Sequence, residues 1–202
     1  MKGVAIVQEK GGVGKTTLCH LLALGAAWNN VPAYLIHTDN RKPVTVDRRP
    51  YGYYDARNPS RLVELVDSMI DEEGLCIIDG GGNRPDFDRW IAGCVNLVII
   101  PITPDVEAVN IGLVHREKLL RYRAGNVKFL LNCVSNNYWE RTRDEREYFR
   151  DIPEDRILGR LGKVAAVKRL RENDDDPFAT PPTPVNKLAR QFFSMVNAEL
   201  NI

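Results

Sequence analysis

Two lysines, three glycines and two threonines are crowded into the stretch KGGVGKTT, Lys10 to Thr17, and together they are equipped to bind phosphate. A loop of the form GxxxxGK[ST] wraps its backbone N–H groups round the anion, reaches the outer phosphates with its lysine and holds Mg²⁺ with its hydroxyl. Gly14, Lys15 and Thr16 supply the second half of that pattern, while Glu9 occupies the place of its first glycine. Gly11 and Gly12 are added instead, and they allow positive φ and close backbone approach. Lys10 precedes them as a second cation. An ordinary loop needs one lysine, so the second calls for a task of its own.

Such a loop works between a strand that ends and a helix that starts at the anion. GVAIVQ, residues 3–8, is an apolar run suited to a buried parallel strand, and the sequence after it reads as a helix over Thr16–Trp28. Further strand-like runs follow at 33–38, 75–79, 95–101, 127–134 and 156–161, with helical patterns clearest over Pro104–Tyr122 and Val185–Leu200. This alternation predicts an α/β fold, a mainly parallel sheet with helices on both faces. Ligands in such sheets sit at the carboxyl ends of the strands, the region where Asp39, Asp79 and Asn132 fall. Thr103 followed by Pro104 predicts an N-cap and first helical turn. Residues 172–184, polar and proline-rich, predict a surface loop.

The chain has 202 residues, which predicts a single domain over 1–202 with enough length for a sizeable core. Its 44% hydrophobic and 27% charged residues describe a soluble globular protein. No apolar run approaches membrane-spanning length and the N-terminus enters a strand at once, so the cytoplasm is the expected compartment. Cys19, Cys76, Cys94 and Cys133 form no CxxC pair and lie in or beside apolar segments, which predicts buried, reduced thiols rather than a metal cluster.

KGGVGKTT resembles the deviant Walker A motif of the ParA/MinD superfamily of dimerising ATPases, and weaker markers extend the resemblance over most of the chain. It implies a P-loop NTPase architecture, ATP and Mg²⁺ as ligands, and a homodimer formed with ATP. Gly11, Gly12, Val13, Gly14, Lys15, Thr16 and Thr17 would then bind the nucleotide, with Lys15 acting within its own subunit. Lys10 would cross the dimer interface to the partner's phosphates. CIIDGGG looks like a Walker B strand, so Asp79 would hold a water of the Mg²⁺ shell while Thr16 coordinates the ion directly. LIHTDN stands where family members commonly end a strand in Asp-x-Asp: Asp39 matches the second, which supports the hydrolytic water, and His37 replaces the first as strand-end packing. Gly80, Gly81 and Gly82 replace the usual Thr-Pro-Pro, which implies a more mobile switch segment. Asn132 resembles the asparagine placed beside adenine, whose edge needs both a donor and an acceptor; an ordinary strand-end asparagine is the alternative. For Tyr51, Tyr53 and Tyr54 two readings stand, a partner-facing patch or rings packed in a folded loop.

The formal net charge is only +1, yet Leu113–Arg171 carries fifteen Lys/Arg against eight Asp/Glu. Such asymmetry points to a polyanion-facing surface. Together with the resemblance it predicts nonspecific DNA contact, for which Arg121, Arg123, Lys168 and Arg169 are the candidates. Solvated helix faces are the bland alternative. No sequence-specific operator binding is expected from this chain. The expectation is a partition or positioning ATPase of a plasmid or chromosome, nucleoid-associated if it binds DNA, working with a centremere-binding or other plasmid-encoded adaptor protein. An accessory ATPase of plasmid conjugation is a related reading. A MinD-like membrane role would use Leu188, Phe192, Phe193, Met195 and Val196, but Glu199 and few cations make a weak interfacial helix. A small-molecule ligase or kinase would need a second substrate constellation, and none is visible.

Overall fold

The computed structural model describes residues 1–39, 49–69, 71–81, 85–171 and 183–202. Seven parallel strands form one sheet: β1 (Lys2–Ile6), β2 (Ala33–His37), β3 (Gly52–Asp55), β4 (Leu75–Asp79), β5 (Leu97–Ile102), β6 (Val127–Val134) and β7 (Ile157–Gly162), in the order β3-β2-β4-β1-β5-β6-β7. The expected α/β architecture, a parallel sheet with helices on both faces, is what the chain adopts. Runs such as LCIID and LVIIPI are buried at every position because both faces of the sheet are covered.

On one face lie α1 (Lys15–Ala27) and α6 (Thr183–Leu200), and on the other α2 (Pro59–Met69), α3 (Pro85–Cys94) and α4 (Val106–Arg121). Residues Leu18 to Ala26 of α1 are buried without a break, because α6 covers the side that the sheet does not. A Cβ on Gly25 would collide with the Ala189 carbonyl, so the two helices cross at backbone contact. The apolar stripe of α6, Val185 through Leu200, is consumed in this packing. On the opposite face, His115 of α4 meets Asp88 of α3 through Nε2 and Oδ2 at 3.0 Å, and both side chains are buried. Among the described residues no helix is long and apolar enough to cross a membrane.

The chain leaves β1 toward one face through α1 and leaves β4 toward the other through α3. A crevice therefore opens at the carboxyl edge between these neighbouring strands. Several expectations are corrected. Of the two readings of the tyrosine segment, packed rings hold, but in and just before the strand β3 rather than in a loop: Tyr51 is buried with its hydroxyl 2.9 Å from His20 Nδ1, and Tyr53 lies against the His20 and His37 rings. The helix expected from Pro104 starts two residues later, capped by Asp105, whose carboxylate accepts from the Ala108 N–H at 2.8 Å. A charged acceptor reaching the third helical N–H outcompetes Thr103 for that place. Cys19 and Cys76 are buried, but Cys94 and Cys133 are exposed. Cys94 ends α3, and Cys133 sits at φ 59° beside a shift in β6 pairing, so neither is carried inward. α2, α3 and a short α5 (Tyr138–Asp144) were not legible as helices, and most of the predicted 172–184 loop lies outside the described residues.

Candidate functional site

β1 delivers the glycine loop to the centre of the sheet, where residues on both sides are carboxyl ends of parallel strands. Gly12 adopts φ 81° and Gly14 φ 96°, left-handed values that side-chain-bearing residues rarely take, so the turn depends on glycine at both. Gly14 caps α1, and the Leu18 N–H donates to its carbonyl at 2.9 Å. The N–H groups of the preceding turn have no acceptor within the helix and face the loop. A Cβ built on Gly11 or Gly12 would meet nothing within 4 Å, so the loop rims an open cradle. The geometry is that of an anion site.

Lys15 folds back under the loop, its Nζ donating to the Lys10 carbonyl at 3.1 Å. Lys10 itself points to α4, where its Nζ lies 2.8 Å from Asp105 Oδ1 and also pairs with Glu107. The hydrogen bonds from Asp105 and Glu107 raise the Lys10 pKa above its ordinary value, and Lys10 in turn holds the Asp105 carboxyl below its own. The loop has two more ties to the same helix. Gln8, fully buried, donates to the Ala108 carbonyl at 3.3 Å, and Glu9 receives Lys118 Nζ at 2.7 Å. Asp105 and Glu107 were not singled out by sequence; an acid at the N-cap and another in the first turn of the helix after β5 were the available signal.

Asp79 closes β4 directly beside β1 and is 2% exposed. Its Oδ2 is 3.4 Å from His37 Nδ1, whereas its Oδ1 is buried with no hydrogen-bond partner among the described residues. A buried carboxylate oxygen in that condition is costly unless a ligand or water completes it. His37, opposite Asp79 in the β2–β4 register, packs on the Tyr53 ring as expected and also orients Asp79. The Thr38 hydroxyl donates to the Asp79 carbonyl at 2.8 Å, fixing the strand end. Asp39 stands half-buried at the same edge; residues 40–48 and Gly82 are outside the described residues. Burial and the nearby Asp79 charge push the Cys19 thiol well up, so it is an inert wall of the site.

Asn132 comes from β6, where the irregular pairing between Leu131 and Val134 re-aims its side chain. Its Nδ2 donates to the Val13 carbonyl at 2.9 Å, so it braces the loop from the far side. Thr16 and Thr17 sit half-buried in the first turn of α1. Lys10, Lys15, Thr16, Asp79, Asp39 and Asn132 thus gather at one edge. The DNA candidates do not. Arg121 and Arg123 are exposed past the far end of α4, which at about 1.5 Å per residue spans roughly 24 Å. Lys168 and Arg169 belong to a 3₁₀ turn, Ala165–Arg171, but their side chains lie outside the described residues.

No protein-family model and no curated protein sequence matches the chain. Solved structures do match its fold. The MinD cell division protein of Aquifex aeolicus superposes with a TM-score of 0.76 at 15% identity, covering 98% of each chain. An McdA variant from Cyanothece in complex with ATP gives 0.69 at 15% identity over 100% of this chain and 97% of that one. A ParA family ATPase from Chlorobium tepidum TLS gives 0.66 at 12% identity over 97% and 98%. At such identities it is the fold that is shared, over nearly the whole of both chains. The chain has the α/β fold of the MinD, McdA and ParA ATPases.

Proposed function

We propose that the chain, acting as one domain over residues 1–202, is an ATP-dependent dimerisation switch of the ParA/MinD kind that hydrolyses ATP to ADP and phosphate. The observation that carries this reading is the open glycine cradle set beside a buried Asp79 oxygen that has no hydrogen-bond partner among the described residues. Gly11 to Thr17 would hold the phosphates by backbone N–H groups, with Lys15 on the outer phosphates and Asn132 bracing the loop near the base. The Thr16 hydroxyl and Asp79 Oδ1 would hold Mg²⁺, an oxygen-seeking cation that keeps waters and neutralises phosphate charge when bound. Asp39 would orient the attacking water, since catalysis of this class is mostly positioning and charge stabilisation.

Lys10 is the switch element. In the single chain Asp105 and Glu107 hold it, and in the dimer it would exchange those carboxylates for the partner's phosphates. The dimer would bring two copies of the Arg121/Arg123 surface onto one DNA, raising the effective concentration of the second contact. Nonspecific, ATP-dependent DNA binding and work in plasmid or chromosome partition or positioning, through an adaptor protein, follow from that design. Light scattering and ATP turnover, each with and without nucleotide, test the reading together. An ATP-dependent doubling of mass supports it, and a chain that binds ATP but stays monomeric at every concentration overturns the switch.

A further inference from the structure

At the carboxyl edge of the sheet, the starts of α2 and α3 leave a groove between them, where the Ala56 N–H donates to the His37 carbonyl at 2.8 Å. Ala56, Pro59, Leu62, Val63, Phe87 and Trp90 line it, and it encloses about 510 Å³. Leu62, Leu65 and Met69 of α2 are buried against the sheet and Val66 packs partly on it, while Val63 remains 48% exposed on the groove side. Phe87 and Trp90 stack at 6.0 Å between ring centroids and form the opposite wall. An aliphatic wall facing an aromatic one at this width fits the apolar face of one helix.

The surroundings decide what kind of helix. Between Asp55 and Asp88 the sequence holds nine Asp/Glu against three Lys/Arg, the reverse of the balance in 113–171. Glu64 and Asp67 on α2, and Asp86 on α3, which lines the groove, are exposed. The neighbouring cations among the described residues are already engaged: Arg57 forks onto Asp55, Arg61 pairs with Glu64, and Arg89 lies over the Tyr122 ring. Glu64 is thereby offset, but Asp86 on the groove lining and Asp67, one helical turn on from Val63, form no ion pair among the described residues, and an apolar floor with such a rim repels DNA and anionic lipid alike and attracts a helix that is apolar on one face and basic on its flanks.

We propose that the α2–α3 groove is the docking site for a basic amphipathic helix of a partner protein. Hydrophobic burial on Val63, Phe87 and Trp90 would supply affinity, and the acidic rim would supply steering and register. The site also has a route to the nucleotide edge, because α3 starts six residues after Asp79. An effect of docking on ATP turnover rests on the function proposed above; the docking itself does not.

The test is titration of the full chain, without nucleotide, against two fluorescently labelled synthetic helices, one of Leu and Lys at amphipathic spacing and its Leu/Glu counterpart. The Leu/Lys peptide is expected to bind and to weaken as salt rises, and the Leu/Glu peptide to fail. Val63→Asp, at an exposed position that leaves folding intact, is expected to weaken binding by roughly tenfold, the effect of losing one central apolar anchor. Asp67→Lys with Asp86→Lys is expected to weaken it severalfold and to flatten the salt dependence. Equal binding of both peptides, or indifference to Val63→Asp, overturns the proposal. So does a nucleotide-free dimer that Val63→Asp dissolves, which would make the groove a self-interface. Lys15→Ala separates the two readings: it is expected to keep peptide binding while losing nucleotide, and if the wild type binds peptide but never ATP, the groove stands and the ATPase reading falls.

Discussion

The two ends of α4 carry opposite charges and treat them in opposite ways. At its start Asp105 and Glu107 are spent inside the chain on Lys10, and farther along Lys118 is spent on Glu9, so the helix grips two of the loop's three charged residues. At its finish Arg121 and Arg123 stand exposed, and no described residue forms an ion pair with either. A charge satisfied internally can only act by being released, whereas an exposed charge acts by waiting for a partner. The first end is built for switching and the second for attraction.

The sharpest way to break this contrast is at the loop itself. Lys15→Ala removes the cation that lies within its own phosphate cradle, and ATP affinity is expected to fall by roughly 100-fold, the upper range for a lost charge-assisted hydrogen bond. Lys10→Ala is expected to change ATP affinity only a few-fold while abolishing ATP-dependent dimerisation and turnover. Calorimetry for binding and light scattering for mass read the two effects apart. Lys10→Ala protein that still dimerises and turns over would leave Lys10 a mere surface tie to α4. Asp39→Ala is the next step down: turnover is expected to drop by roughly tenfold or more with ATP still bound and the dimer persisting, because positioning of the attacking water matters more to the reaction than to the ground state. Unchanged turnover would make Asp39 a plain turn residue at the end of β2.

A gentler change loosens the grip without touching the loop. Asp105→Asn with Glu107→Gln keeps a capping acceptor for the Ala108 N–H but removes both charges from Lys10. The ion pair is solvent-exposed, so the expected gain is small, a shift of the ATP-dependent dimer midpoint to about fivefold lower protein concentration. Acidity offers no such release near neutrality. The Asp105 pKa is depressed, so its share of the contact is present above its ordinary value and lost only as pH falls through the folded one; the Lys10 pKa is raised, so its share is lost only as pH climbs through a value above its ordinary one. Dimerisation of the wild type is therefore expected to be flat across the neutral range, and a steep dependence there would place the latch elsewhere.

What could be read in advance followed from local rules. Glycines at positive φ, a continuous apolar strand and a buried helix announce themselves in consecutive residues, and so Gly11 to Thr17, β1, β4 and α1 were legible. The grip of α4 on the loop was not, because Lys10 and Asp105 are 95 residues apart and meet only through the β1–β5 pairing. β3 was missed for a related reason. GYYD is a four-residue edge strand with aromatic rings turned toward β2, and its pattern alone does not distinguish a strand from a loop. Cys133 escaped because a single residue at φ 59° reverses the alternation that a strand would impose. Asn132 was placed at the right edge, but its bond to the Val13 carbonyl depends on that same irregularity.

The smallest expected effect probes the exposed end. Each phosphate contact adds about one unit to the salt slope and a modest increment of affinity, so Arg121→Ala with Arg123→Ala is expected to weaken DNA binding by about threefold at moderate salt and to flatten the slope by about two per subunit. Four features make this outcome specific to an outward-facing surface. The loss falls equally on all sequences, since backbone contacts carry no base information. It appears only with ATP, because one patch alone is too weak to hold. ATP affinity stays put, because neither arginine pairs with a loop residue among the described residues and both are exposed. And Lys118→Ala, although it removes a cation from the same helix, leaves the slope alone, because Lys118 is already paired with Glu9 at 2.7 Å. Anisotropy of a labelled duplex over a salt series, with and without ATP, measures the three DNA outcomes, and calorimetry measures the ATP affinity. If Lys118→Ala flattens the slope as much as the arginine pair does, the division between spent and waiting charge along α4 is wrong.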